Sequence, residues 1–435
     1  MATSAATGPS FIIGTDAPLS SVTSFLVQVQ SISATDSNNN TVQLLSSPAT
    51  VDFARYNGLQ TLMEMGNVPA GTYNQISIAL ANATIGYLDT SGGGAPVIKT
   101  MMATLPSSPT TVNLSDPLVV TTGGAPIGLR VELNLFKSIQ VDPTTGQING
   151  NVTPTFRINK VGDDDAGAHI DEFTAAVVSV NTGTQSFVVQ GPNGTQIPVN
   201  VNAQTEWANN ATLSDLSSSS IVQISGKMDK TSLAIDADEI AIVSQHGFYA
   251  SGLVTYVNPA SGPATSFDLY VRGLLPTTTG LTLGQIATVD LSGSENFSIY
   301  WMHDMMTQYV FNQSTLLAGQ SISVGGPASG AVNPSAVSVN RVVLHHWGFN
   351  GVVVPGSVNA SMGTFQMQVT GFAGVLIPQT VTVYITSGTD FRDGWSSLND
   401  LGDNAHVRVV GLLLKDPSTG ATILVGHDVD DLENE

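Results

Sequence analysis

The chain has 435 residues, which is room for two to four domains of ordinary size. Hydrophobic residues make up 42% and charged residues only 11%, which excludes a disordered acidic chain and leaves a surface built from Ser, Thr, Asn, Gln and Gly. The net charge of −20 repels phosphate backbones and anionic lipid head groups, so we expect no nucleic-acid partner.

Several features bear on the compartment. No apolar run reaches the roughly 18 to 20 residues of a membrane-spanning helix. The opening "MATSAATGPSFIIGTDAP" has neither a basic segment nor an apolar signal core, so we expect no secretion signal in it. The absence of cysteine excludes disulfides and thiolate metal sites without identifying a compartment. The lysine-poor, Ser/Thr/Asn/Gly-rich composition favours an extracellular, cell-surface or periplasmic protein over a cytoplasmic one.

The first part of the chain predicts one β-sandwich. Residues 1–10 are small and polar and predict a flexible or extended tail. Residues 11–161 show apolar residues at every second position, as in "LRVELNLF" at 129–136, which indicates strands with one buried and one solvated face. Asn57 to Met65 is the one stretch where we expect a short helix.

An acidic linker and three repeats follow. The stretch "GDDDAGAHID" at 162–171 predicts a solvated linker, because a block of like charges repels itself. Segments 172–246, 247–347 and 348–435 then repeat one pattern: an apolar strand, a turn, a strand with an inward Phe, a further strand, and a Thr or Ser shortly before an aromatic residue. The inward Phe residues are Phe187, Phe267 and Phe365. The Thr or Ser residues with their aromatic partners are Thr205 with Trp207, Ser294 with Phe297, and Thr389 with Phe391.

Units of this size with five or six strands can close as separate small barrels. The expected fold class is therefore all-β, with an N-terminal β-sandwich followed by three tandem small antiparallel β-barrel-like domains. The last of these domains ends in an acidic tail.

Two resemblances support this organisation. The motifs "GTDAP" at 14–18, "VDFARYNGL" at 51–59 and "VPAGTY" at 68–73 resemble an uncharacterised domain family found near the N-terminus of bacterial exported lipoproteins. The repeats resemble a second uncharacterised bacterial family of tandem small β-barrels, through the Thr-x-aromatic step. These resemblances imply an envelope or surface location and carry no agreed activity. The family's lipid-bearing cysteine is absent from this sequence, so anchoring stays open, and we expect membrane contact only through such a lipid anchor.

Candidate metal ligands are few. Asp163, Asp165 and Asp171 of the linker could hold Ca²⁺, although their spacing lacks the alternating ligands of an EF-hand loop and a solvated charge run is favoured. His303 lies in "WMHDMM", a Met/His cluster that could hold copper but more often fills a gap between domains. We therefore expect no cofactor and keep Ca²⁺ as the one open alternative.

Candidate ligand-binding residues are the loop tryptophans Trp207, Trp301 and Trp395, each of which follows a strand of one repeat. A flat indole can stack on a sugar ring, but a tryptophan at such a position more often caps a small barrel core. Both interpretations stay open.

The histidines and the C-terminal acids are predicted to be structural. His246, His346 and His427 end the last strand of each repeat, where metal ligation or pH sensing competes with simple filling of a domain junction, and the second is favoured. The tail acids Asp428, Asp430 and Asp431 are predicted to be solvated.

These observations predict a non-enzymatic modular binding or adhesion protein. It could assemble with copies of itself by adding residues 1–18 as a strand to a neighbour's sheet edge. The alternatives are an array of carbohydrate-binding modules for surface polysaccharide and a metal-dependent enzyme. No nucleophile elbow, phosphate-binding loop or dinucleotide fingerprint is present, so no catalytic residue is named.

Overall fold

The structure of the chain is a computed structural model. It describes residues 6–17, 19, 22–56, 59–89, 97–142, 147–161, 168–245, 247–275, 280–300, 309–327, 337–371, 373–377, 380–392, 394–416 and 418–432. Strands dominate these residues, which confirms the all-β class. None of the helices in these ranges is long and apolar enough to cross a membrane. The chain divides into two compact units, one formed by Met1–Thr205 with Ile224–Asp238 and the other by Glu206–Gln223 with Glu239–Glu435.

The N-terminal part of the first unit contains twelve labelled strands and one short helix. They are β1 (Thr7–Ala17), β2 (Val22–Asp36), β3 (Thr41–Gln43), β4 (Ala49–Asp52), β5 (Thr61–Pro69), β6 (Gly71–Asp89), β7 (Val97–Met102), β8 (Thr110–Val120), β9 (Ile127–Asn134), α1 (Leu135–Ser138), β10 (Ile139–Val141), β11 (Ile148–Val152) and β12 (Phe156–Lys160).

These strands form the predicted sandwich. One sheet has the order β12-β9-β1-β5, and the other has the order β3-β2-β6-β7, with β4 beside β2 and β8 beside β6. Ile12 and Leu133 from the first sheet and Phe25 and Ile76 from the second belong to one buried cluster, so the two sheets share a core. The apolar pattern of period two therefore correctly predicted a β-sandwich in this region.

Two expectations for this region are wrong. Thr61–Pro69 is strand β5, paired antiparallel with β1, where the sequence favoured a helix reaching Met65. The Leu-Met-Glu-Met run is a good helix former, but pairing with β1 overrides that local preference. Residues 7–17 are also unavailable for a neighbour's sheet, because β1 pairs antiparallel with β5 on one side and parallel with β9 on the other.

The repeats supply the remaining strands. They are β13 (His169–Asn181), β14 (Ser186–Gln190), β15 (Gln196–Asn200), β16 (Glu206–Trp207), β17 (Ile221–Asp229), β18 (Ala234–Ser244), β19 (Phe248–Asn258), β20 (Ser266–Leu275), β21 (Ile286–Asp290), β22 (Asn296–Ile299), β23 (Ser321–Gly326), β24 (Val337–Ser338), β25 (Arg341–His345), β26 (Trp347–Val353), β27 (Thr364–Val369), α2 (Ala373–Leu376), β28 (Thr380–Arg392), β29 (His406–Lys415) and β30 (Thr422–Asp431).

Each of the three repeats forms its own ring of strands, and the strand order is the same in all three. In the third repeat β26-β27-β28-β30-β29 closes as a barrel whose one parallel pair joins β28 to β30. In the first repeat the order β15-β14-β13-β17-β18 closes through the parallel pair β15–β18. In the second repeat the last strand is split into β24 and β25, which pair parallel with β21 and β22.

The residues expected to fill the rings do so. Phe187, Phe267 and Phe365 are each about 1% exposed. The boundaries predicted at residues 172, 247 and 348 stay predictions.

Candidate functional site

The recurring threonine closes the parallel seam of the first and third rings. The Thr205 hydroxyl accepts the Asn202 N–H at 3.0 Å and donates to the Ala237 carbonyl at 2.7 Å. The Thr389 hydroxyl accepts the Thr386 N–H at 2.9 Å and donates to the Gly426 carbonyl, again at 2.7 Å. We call each of these side chains a latch, because it ties a tight loop to the last strand of its ring.

The second repeat has a carboxylate, Glu295, at the equivalent position, two residues before Phe297. The carboxylate of Glu295, one residue after the predicted Ser294, accepts backbone N–H groups from Ser292 and Gly293. Burial alone would raise the pKa of Glu295, but these hydrogen bonds and that of the Ser292 hydroxyl lower it. The Thr-x-aromatic step is therefore a structural device.

The strand pairings place the aromatic residues of the three repeats at one equivalent position. Trp207 pairs with Ile240, Phe297 with Val342, and Phe391 with Val429.

Two of the predicted ligand-binding tryptophans lie within the described residues. Trp207 and Trp395 are both partly exposed and belong to different repeats. Trp301 lies outside the described residues. At the position equivalent to Trp207, Phe297 packs edge-on against Phe311 with ring centroids 5.4 Å apart, so capping a core is one established use of this position.

Of the predicted metal ligands, Asp171 alone lies within the described residues; Asp163, Asp165 and His303 lie outside them. Asp171 belongs to β13 rather than to a solvated linker. Its backbone N–H donates to the Gln60 carbonyl at 2.7 Å, and its Oδ2 accepts the Gln60 N–H at 2.8 Å. Within the described part of the chain no three His, Asp or Glu side chains form a group that could hold a metal.

His169 at the start of β13 lies between two carboxylates. Its Nδ1 is 3.0 Å from Asp171 Oδ1, and its Nε2 is 3.7 Å from Asp238 Oδ2. Burial alone would lower the pKa of His169, but hydrogen bonding to the carboxylates and their negative charges raise it to about 10. His169 is therefore an imidazolium at neutral pH, and with Asp171 it ties the first repeat to the Gln60 segment of the sandwich.

A buried network of hydrogen-bonded side chains lies in the second unit. The Gln223 side-chain amide donates to the Tyr249 hydroxyl at 3.2 Å and its Oε1 accepts from the Ser323 hydroxyl at 3.0 Å. Ser323 Oγ is also 2.7 Å from His345 Nε2. A serine beside a histidine resembles a nucleophile with its base, but Ser323 is 0% and His345 2% exposed, so substrate has no route to them in this conformation. This network provides hydrogen-bond partners for polar side chains that are buried.

His346 and His427 lie against each other in the third repeat, with ring centroids 5.2 Å apart and planes inclined at 41°. His346 lies between β25 and β26 and is 8% exposed, and His427 belongs to β30 and is partly exposed. Burial and the neighbouring His427 and His345 keep the pKa of His346 well below its usual value. Sequence reasoning placed both residues at strand ends but did not predict that they meet.

The C-terminal acids are buried, so their interpretation as solvated charges is wrong. Asp430 is 1% exposed and accepts from Arg408 Nε at 2.8 Å, and Asp428 lies 2.9 Å from Arg392. Asp431 is 8% exposed. The alternation in "ILVGHDVDD" is a signal for a strand, and the arginines of β28 and β29 are the cations it needs.

Comparison with known proteins finds a likeness for the N-terminal sandwich and gives no activity. A comparison with curated proteins found no match. Residues 12–154 match the family described as "Domain of unknown function (DUF4382)". This range runs from within β1 to just beyond β11, so it covers most of the sandwich and stops before the repeats. The N-terminal sandwich is thus similar to an uncharacterised domain family, as its motifs predicted.

Proposed function

We propose that this chain is a non-enzymatic, modular binding or adhesion protein that acts at the cell surface or in the periplasm. The observation that carries the proposal is the repeated ring. Three copies keep the same strand order and a side chain that ties its loop at one equivalent position (Thr205, Glu295 and Thr389), while the loop that follows this position differs in sequence and length. A constant framework with variable loops is the arrangement that binding scaffolds use, because loops tolerate change and rigid strands position them.

The polar groups of the rings support this proposal further. His169, His345 and Arg408 each contact a specific partner inside the framework or at an entry to a ring. These contacts fix the strands of each ring, and the small fraction of charged residues in the sequence leaves the outer surface to hydroxyl and amide groups. Such a surface suits hydrogen bonding to neutral, hydroxyl-rich partners.

Surface polysaccharide is the second candidate ligand class, favoured by the partial exposure of Trp207 and Trp395 beside the latches of the first and third rings. An exposed indole face gives a sugar ring an apolar surface to stack on. Under this proposal the first and third rings each contribute one aromatic contact, so affinity would depend on both rings engaging one polymer.

A second copy of the chain is the other partner class. Because β1 is committed to its own sheet, strand addition would use β7, which among the described strands pairs only with β6. Met102 at the end of β7 is 71% exposed, whereas Lys99 forms an ion pair with Asp89 and hinders edge-to-edge pairing.

Binding of the full chain to a panel of immobilised bacterial polysaccharides tests the proposal. We expect binding that weakens at least tenfold in Trp207→Ala or Trp395→Ala and stays unchanged in Tyr256→Ala, a control aromatic that is 54% exposed on β19. Sedimentation of the same samples tests self-association. Failure to bind any polysaccharide or any intact cell, together with a strict monomer at high concentration, would overturn the proposal.

Location has a separate test. Protease treatment of intact source cells, with immunodetection of the chain, should degrade a surface protein, and osmotic release should free a periplasmic one. Recovery of the chain only from the cytoplasmic fraction would contradict the proposed location.

A further inference from the structure

The third ring places two imidazoles in contact through an irregularity of its last strand. On the β29 side Val410 pairs with Asp428 and Gly411 pairs with Gly426, so His427 is left out of the ladder. On the β28 side Ile385 pairs with Gly426 and the next pair is Asp390 with Asp428, which again leaves out His427. His427 is thus the extra residue of a β-bulge, a feature that redirects a side chain away from the regular pleat.

His346 reaches the same point from a different part of the chain. It precedes β26, which pairs with β29 from Trp347 onward, so its position is fixed by the ring and not by a loose loop. The rings of His346 and His427 then stand 5.2 Å apart at 41°, which is neither a parallel stack nor an edge-on contact. Two histidine rings in contact, one on β30 and one between β25 and β26, are a starting arrangement for an imidazole metal site.

The separation fits a shared ion. A tetrahedral metal that holds two imidazole nitrogens at about 2.0–2.1 Å would separate the ring centroids by about 5 Å. The partial exposure of His427 gives an ion access from solvent, while His346 lies deeper.

We propose that His346 and His427 together bind one divalent transition-metal ion, with two coordination positions left for water or an external ligand. Imidazole ligands suit Cu²⁺, Ni²⁺ and Zn²⁺, with Cu²⁺ bound most tightly, and disfavour Ca²⁺ and Mg²⁺. The site is separate from the Ca²⁺ and copper sites considered from the sequence at 162–171 and His303. It differs from a structural zinc site in having two protein ligands, which fits the lack of any three-ligand group within the described ranges.

The inference is independent of the proposed binding function, since a metal at this position could stabilise the ring or present an open coordination position to a partner. A bound metal would join the segment before β26 to β30 and stabilise the third repeat by mass action. A coordination position occupied by water could also accept a carboxylate or an imidazole from outside the chain, which would displace that water.

Titration of the full, chelator-treated chain with CuSO₄ tests the site, followed by electron paramagnetic resonance and calorimetry at pH 7.5. We expect one equivalent of Cu²⁺ whose spectrum shows coupling to two nitrogens. His427→Gln and His346→Gln should each weaken binding at least tenfold. His406→Gln is the matched control, because His406 is an exposed histidine on the neighbouring strand β29 and should leave binding unchanged.

The wild-type spectrum keeps the test decisive if a variant fails to fold. A spectrum with coupling to two nitrogens, and a Zn²⁺-dependent rise in melting temperature that is absent with Ca²⁺, would support the site. Binding that is unaffected by both substitutions, a spectrum without two-nitrogen coupling, or no stoichiometric binding would overturn it.

Discussion

The first and third rings differ at one position of the last strand, which faces a histidine near the start of the ring. We call this end of each ring its entry. Strand register makes Asp238 and His427 equivalent, because each precedes the residue that pairs with the strand after the latch, Glu239 with Glu206 and Asp428 with Asp390. Each faces a histidine near the start of its ring: Asp238 faces His169, and His427 faces His346. We call His169 and His346 the entry histidines.

The two entry histidines have pKa values shifted in opposite directions. Beside Asp171 and Asp238 the pKa of His169 rises to about 10, whereas burial beside His427 and His345 lowers the pKa of His346 well below its usual value. At the first ring His169 is held in its charged form by carboxylates, which we call the charged clamp, whereas at the third ring burial keeps His346 from taking up a proton. The two rings have the same backbone arrangement, so the chemistry at each entry is determined by a few side chains.

The largest expected effect is the loss of the charged clamp at high pH. Because the folded-state pKa of His169 is raised above its unfolded value, its contribution is complete below about pH 6.5 and is lost as pH rises toward 10. We expect protection of β13 amides from hydrogen exchange to fall over that window, by up to about 1.4 kcal/mol per pH unit. His169→Gln should abolish this pH dependence. An unchanged slope in the variant would show that other groups cause it.

Removal of one carboxylate should have the next largest effect. Asp171→Ala removes the acceptor of the Gln60 N–H and the closer partner of His169, so we expect β13 to lose about 2 kcal/mol of stability at pH 7. Asp238→Ala is the matched control. Its carboxylate is 3.7 Å from His169 and 53% exposed, so its loss should cost less than about 1 kcal/mol. Equal losses in urea unfolding would contradict the assignment of the clamp to Asp171.

The third entry should respond to acid instead. The folded-state pKa of His346 is lowered, so its unfolded form takes up a proton first as pH falls below about 6.5. We expect the stability of the β26 region to fall by at most about 1.4 kcal/mol between pH 6.5 and 5.5. Hydrogen exchange of β26 peptides in wild type and His346→Phe measures this difference. A variant with the wild-type acid dependence would exclude His346 as its source.

The repeat pattern was sufficient to predict the all-β class and the inward Phe residues. It was not sufficient to predict contacts between distant strands. His169 and Asp238 are close because β13 and β18 belong to one ring, and no local signal gives that register. His427 was visible only as a strand end, since a bulge depends on which residues pair across two neighbouring strands.

Two errors have the same physical cause. The acids of β30 form a charge run in sequence, but Arg408 and Arg392 on neighbouring strands neutralise Asp430 and Asp428. The Thr61–Met65 stretch has a helix-forming composition, but β1 supplies a partner for a strand. In both cases local composition was overridden by a partner whose position the sequence does not state.

The smallest expected effect concerns what the first and third rings have in common. Thr205→Val and Thr389→Val remove a hydrogen bond of the same length to equivalent carbonyls, so each should lower the stability of its own ring by about 1 kcal/mol. Thr382→Val on β28 is the control of matched volume, with a partly exposed side chain that should tolerate the change. Equal losses at pH 7, measured by hydrogen exchange of β15 and β28 peptides, would show that the latch belongs to the common framework whatever the charge at the entry. A large loss in one ring alone would mean that the entry histidine and the latch are coupled, because His427 directly follows Gly426, whose carbonyl accepts the hydrogen bond of the Thr389 hydroxyl.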